Sequence, residues 1–128
     1  MREILFRGKR TDDGEWMYGN LTVWRDGSAS IDEVPSGTSP LHAVDPETVG
    51  QYTGLTGTDK NGKKIFEGDI VKWDGEEISN IRYCDGVYRL CNAKGYYGVS
   101  LHNHFSYVEV IGNIHDNPEL IKESEEEK

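Results

Sequence analysis

Cysteine is nearly absent from this chain: among 128 residues only Cys84 and Cys91 carry thiols, too few for a disulfide framework. Long apolar runs are missing too. None approaches the ~18 residues that span a bilayer, and Met1 to Lys9 holds no apolar core of the secretory kind. The chain is therefore expected to stay in the cytoplasm, with no membrane contact. Basic runs are likewise absent, with 14 Lys and Arg against 23 Asp and Glu and a net charge of −9. Neutralising phosphates supplies most non-specific affinity for nucleic acid, so this balance argues against such a partner. The acid is unevenly spread. Residues 1–50 carry 5 basic and 9 acidic groups, net −4; residues 51–122 carry 8 and 10, net −2; residues 123–128 carry 1 and 4, net −3. No nucleophile elbow, phosphate-binding loop or dinucleotide fingerprint occurs.

What the chain does have is turns. Asn-Gly and Asp-Gly pairs favour the tight turn whose twist matches paired strands, and they occur at Asp13-Gly14, Asp26-Gly27, Asn61-Gly62, Asp74-Gly75 and Asp85-Gly86. Segments rich in β-branched and aromatic residues flank them, which predicts a mainly β, antiparallel protein. Strands are expected near 3–7, 16–24, 49–54, 64–73, 77–84, 87–92, 96–102 and 106–114. In the second of these, Trp16 and Tyr18 share one face while Leu21 and Val23 share another, which predicts a bulge near Gly19-Asn20. Residues 28–43 hold Pro35 and Pro40 among small polar residues and read as a loop or linker. Helix is scarce. Asn117 can cap a short helix opening at Pro118, and Glu123 to Lys128 reads as a frayed acidic tail.

An ordered set of short motifs now stands out: Ile4-Leu5-Phe6-Arg7-Gly8, Trp16-Met17-Tyr18-Gly19-Asn20-Leu21, Thr48-Val49-Gly50-Gln51-Tyr52-Thr53-Gly54-Leu55, Asp59-Lys60-Asn61-Gly62-Lys63, Ile65-Phe66-Glu67-Gly68-Asp69-Ile70-Val71, and Val110-Ile111-Gly112-Asn113-Ile114-His115-Asp116-Asn117-Pro118-Glu119-Leu120. Together they resemble the YopX family of phage and prophage proteins over most of residues 3–120; stretches 25–43 and 76–105 carry no part of the likeness. The resemblance implies an SH3-like barrel in the C-terminal part and an oligomeric assembly. It supplies no catalytic residues. The domain layout that follows is an N-terminal β-hairpin region over 1–48 with the loop 28–43, a small SH3-like barrel over 49–121, and an acidic tail over 122–128.

The candidate sites divide into turns and surfaces. Asn61-Gly62 reads as a hairpin turn, and Glu67, Gly68 and Asp69 as a sharp turn in which a carboxylate takes a backbone N–H. Glu67 and Asp69, two residues apart, could alternatively present paired carboxylates to a divalent ion. His102 and His104 share one side of a strand and could join His115, Cys84 or Cys91 at zinc. The six residues between the cysteines exceed the usual ligand spacing, so no metal and no cofactor are expected. The cysteines read as small buried hydrophobes. Aromatics are abundant, and Tyr88, Tyr96 and Tyr97 are candidates for an interface or groove. Leu5 is another, because Ile4-Leu5-Phe6 points apolar groups both ways.

The reading that gathers these points is a phage- or prophage-encoded, non-enzymatic protein that self-assembles or binds, with a copy of itself or a host or phage protein as partner. Two rivals from other classes are a small metal-dependent hydrolase using Glu67, Asp69 and the histidines, and an acidic decoy or adaptor for a host nucleic-acid-binding protein.

Overall fold

The computed structural model describes residues 4–33, 41–54, 59–73, 77–84, 86–91, 97–101 and 108–121, with the backbone alone at 97–100. The chain divides into two compact units, Met1–Gly54 and Leu55–Lys128. The division falls after residue 54 rather than 48 because the short strand following residue 49 pairs back into the first unit.

The first unit is one antiparallel sheet of β1 (Phe6–Lys9), β2 (Trp16–Val23), β3 (Ala29–Glu33), β4 (His42–Val44) and β5 (Gly50–Gln51), in the order β4-β3-β2-β1-β5. Asp13-Gly14 and Asp26-Gly27 make the turns between its first three strands, with Gly14 at φ 73° and Gly27 at φ 92°. The sheet also closes on itself. Beyond β1, Arg10 bridges Val44 of β4, the Asp45 N–H donates to the Lys9 carbonyl at 2.8 Å, and the Thr11 N–H donates to the Ala43 carbonyl at 3.1 Å. Four strands thus form a ring around Met17, Ala29, Ile31 and Val44, with Phe6, Leu21 and Val49 packed against them. Gly8 leaves the room this needs, since a Cβ there would stand 3.1 Å from Val44 Cγ2 and 3.4 Å from Ile31 Cδ1. A 3₁₀ turn, Pro46–Thr48, follows β4. Asp45 caps it by accepting the Glu47 N–H, and Thr48 ties it back to β1 by accepting the Lys9 N–H at 2.8 Å.

Two expectations for this unit are corrected. The expected loop 28–43 contains β3 and β4; residues 34–40, with Pro35 and Pro40, lie outside the described residues. The expected bulge at Gly19-Asn20 is not there. β2 pairs without interruption with β1 on one side and β3 on the other. Trp16 and Tyr18 differ in parity from Leu21 and Val23, so a regular strand already puts the pairs on opposite faces.

The second unit is another five-stranded antiparallel sheet: β6 (Asp69–Trp73), β7 (Glu77–Cys84), β8 (Val87–Cys91), β9 (Tyr97–Ser100) and β10 (Glu109–Asn113), in the order β10-β6-β7-β8-β9. Four strands meander, and the fifth returns beside the first. Among the described residues no pairing joins β9 to β10, so the expected small barrel is seen as an open sheet in this strand order. Ile65, Val71, Ile81, Leu90, Leu101 and Val108 form its core, with Trp73, Tyr88 and Val110 against them. The expected strand 64–73 is shorter than read, beginning at Asp69; Asn61-Gly62 is a tight turn closed by Asp59 and Lys63 rather than the tip of a long hairpin. After β10 a turn leads into a helix over 118–121, opening at Pro118 as expected.

Candidate functional site

The densest polar constellation lies where three stretches of the second unit meet: residues 59–63, 66–69 and 108–117. Gly68 takes φ 92°, a conformation open to glycine and costly for residues with a Cβ. Its N–H donates to the Ile81 carbonyl at 2.8 Å, and its carbonyl accepts the Ile114 N–H at 2.9 Å. One glycine therefore ties β7 to the segment leaving β10. Asp69 is 2% exposed. Its Oδ2 accepts the Phe66 N–H at 2.7 Å, and its own N–H donates to the Phe66 carbonyl at 3.0 Å. Glu67 is half-buried in the turn, not on a strand beside Asp69, so the two do not form the paired carboxylates of one strand face.

Asp59, a residue whose type and place in its motif suggest no function by themselves, holds the neighbouring turn. Its carboxylate accepts the N–H groups of Asn61 and Lys63, both at 2.9 Å, and that of Val110 in β10 at 2.9 Å. Val110 stands where the β10–β6 register shifts, so Asp59 satisfies an N–H at an irregular point of the ladder. Asn61 and Gly62 (φ 85°) complete the turn. At the other end, Asn113 Oδ1 accepts the N–H groups of His115 (3.0 Å) and Asp116 (2.9 Å), while Asn117 Oδ1 returns to accept the Asn113 N–H at 3.2 Å. Asn117 thus sits at the helix cap but turns its side chain backwards. Gly112 makes this feasible: a Cβ there would meet Asn117 Oδ1 at 2.5 Å. For Asp59 and Asn113 the local signal is an Asx residue two positions before an N–H it takes, that of Asn61 and of His115; the backward bond of Asn117 and the Val110 bond of Asp59 have no such signal.

The other candidates fall apart in space. The β7–β8 register opposes Cys84 to Val87 and Cys91 to Asn80, four pairs along the ladder and so ~13 Å apart, too far to share one metal ion. Cys91 is buried and Cys84 half-buried. His102 and His104 lie outside the described residues, as does Tyr96; Tyr97 lies in β9. Among the described residues no three His, Cys, Asp or Glu side chains gather as a metal site. Tyr88 packs on the second core and meets Tyr83 edge to face, with centroids 5.0 Å apart; Tyr83 is 57% exposed. In the next pair, Arg82 stands directly opposite Arg89. Leu5 is 7% exposed, so its side chain is already covered within a single chain. On the first sheet, Trp16 carries the guanidinium of Arg7 at 4.8 Å and the Lys9 ammonium at 5.6 Å from its ring centre. On the surface, Arg10 holds the Asp12 carboxyl below its ordinary range, and the Ser28 hydroxyl and N–H do the same for Asp26.

Among the described residues no helix is long and apolar enough to cross a membrane. The class so defined is an all-β protein of two five-stranded antiparallel sheets in which buried carboxylates and half-buried amides hold turns. The YopX protein family model matches residues 5–122, and the chain belongs to the YopX family. Among solved structures, protein EF1440 from Enterococcus faecalis is similar at 26% identity and a TM-score of 0.55, covering 94% of this chain and 99% of that one. The yopX protein from Bacillus subtilis shares the fold at 20% identity and a TM-score of 0.59, covering 91% and 96%. No curated protein matches.

Proposed function

We propose that this chain is a phage- or prophage-encoded, non-enzymatic protein of the cytoplasm that acts by self-assembly or by binding another protein. The observation that carries the reading is the commitment of its buried polar groups. Asp59 and Asp69, 4% and 2% exposed, accept backbone N–H groups. A buried carboxylate that leaves such donors unpaired costs the fold their desolvation, which gives both a structural task that accounts for their burial. The metal-dependent alternative would draw on an Asp69 that is 2% exposed and already holds the Phe66 turn. The phage origin rests on the family kinship, and assembly on the strand order of the second sheet, which among the described residues leaves β9 at an edge where a copy of the chain could add a strand.

Light scattering coupled to gel filtration tests the reading. Full-length protein at micromolar concentration is expected to have a mass that is a multiple of 14.5 kDa; a monomer would remove self-assembly from the proposal. Because Leu5 is buried in one chain, Leu5→Asp is expected to unfold the protein rather than release intact subunits, leaving the assembly surface to the strand edges.

A further inference from the structure

We infer that Asn61 is a site of self-modification: the backbone nitrogen of Gly62 attacks the Asn61 side-chain amide, and Asp59 gates the step. This inference goes beyond the assembly reading and does not depend on it. The reaction needs no enzyme and no co-reactant but water. The deprotonated Gly62 nitrogen bonds to Cγ of Asn61, the Cγ–Nδ2 bond breaks, and Nδ2 takes up the proton and leaves as ammonia. Water then opens the cyclic imide at either carbonyl. One opening gives aspartate; the other gives isoaspartate, with the chain rerouted through the side chain. A glycine in the second position leaves the attacking nitrogen unshielded, and Asn61-Gly62 is the only Asn-Gly step in the sequence. Both residues are exposed, so water can enter and ammonia can leave. Nothing stands within 4 Å of Gly62 where a Cβ would be.

What the fold adds is the gate. The Gly62 N–H, which must lose its proton, donates to the Asp59 carbonyl at 3.0 Å. The Asp59 carboxylate accepts the N–H groups on either side of it, those of Asn61 and Lys63, both at 2.9 Å. The Asp59 N–H closes the loop by donating to the Lys63 carbonyl at 2.8 Å. For the Gly62 nitrogen to reach Cγ, the planar peptide between Asn61 and Gly62 must turn as a unit and leave these bonds. The Asn61 side chain is held more weakly, with Nδ2 3.5 Å from Glu109 Oε2. Each opening of the turn therefore frees the reacting pair. The product acts beyond the turn. Isoaspartate adds one carbon to the backbone between the nitrogens of residues 61 and 62, so the N–H groups that converge on Asp59 fall out of step. Asp59 also accepts the Val110 N–H of β10 at 2.9 Å, at the point where the β10–β6 register shifts. Either product also sets a new carboxylate beside Glu109, where like charges repel. The turn thus carries a one-way change from residue 61 into β10.

The test follows residue 61 of the full chain by peptide mapping and mass spectrometry during incubation at mildly alkaline pH, where the amide nitrogen is more readily deprotonated. Enzymatic methylation counts the isoaspartate. In the folded chain Asn61 is expected to give a mixture of aspartate and isoaspartate, more slowly than in the same chain held in urea. Asp59→Ala is expected to speed the loss by about fivefold or more, the factor that one net hydrogen bond sets. The Val110 amide NMR signal is expected to shift in the isoaspartate fraction, and to shift less in Asn61→Asp, which keeps the backbone path. An Asn61 amide that survives in the folded chain while it is lost in urea would overturn the site. A rate unchanged by Asp59→Ala would overturn the gate. Gly68→Val weakens the same unit away from this turn; if it speeds the loss as much at matched stability, global unfolding exposes Asn61 and the gate at Asp59 is overturned. Should Asp59→Ala lose its amide dispersion, Asp59→Asn, which keeps a side-chain acceptor, decides in its place, with a smaller increase expected and no increase overturning the gate.

Discussion

Gly68 connects more of the second unit than its size suggests, because its positive φ lets one residue reach both Ile81 and Ile114. Gly68→Val forces a β-branched side chain into a disfavoured region. The expected loss is at least about 1–2 kcal/mol of unfolding free energy, read from a denaturant titration; a wild-type midpoint would show that the turn does not need glycine. Asp69 and Asp59 act by a different route, each holding backbone N–H groups that the strands cannot pair. The role of Asp69 was legible in the sequence because the Gly-Asp step before a run of Ile and Val marks a turn entering a strand. That of Asp59 was only half legible. The Asp-x-Asn-Gly spacing announces the turn, but its third partner, Val110, lies 51 residues away, and no local pattern reports a contact at that separation.

Strands β3 and β4 show where local reading fails at the scale of elements. Ala29-Ser30-Ile31-Asp32 is short and half polar, and the prolines that follow announce a break. Yet Ile31 is fully buried and Ala29 nearly so, because the closing of the ring gives them an inside. The hairpins at Asp13-Gly14 and Asp26-Gly27 were readable since turn and strands lie within one window. The bond between β1 and β4 was not, being set by a ring that only the whole unit defines. Gly19 belongs to the same lesson. Its local pattern suggests a bulge, and the structure instead brings β3 close against it: an added Cβ would run into the Asp32 carbonyl and stand 3.0 Å from Glu33 Cα. Both are backbone atoms and cannot rotate away, so Gly19→Ala is expected to destabilise by roughly 2 kcal/mol or more. Thermal unfolding checks this, and an unchanged midpoint would mean that the two strands part at little cost.

At the scale of the molecule, residues 51–122 are nearly balanced at net −2, residues 1–50 carry −4, and the last six residues concentrate a further −3. Deleting residues 123–128 is expected to move the thermal midpoint by less than about 4 °C, since exposed ion pairs contribute little to stability. A larger fall would mean that the segment helps to build the core. The ring in the first unit has a consequence of another kind, for the order of events during synthesis. Each of its pairings, from Phe6 with Gln51 to Arg10 with Val44, uses residues no later than Gln51. The β1 and β4 ends of the ring therefore meet without help from downstream sequence, and as the chain leaves the ribosome the ring has all its partners before the Asp69 strand has emerged from the exit tunnel. A nascent chain arrested shortly after residue 54 has cleared the exit tunnel would carry no row of unpaired backbone between β1 and β4 for a neighbouring nascent chain to capture.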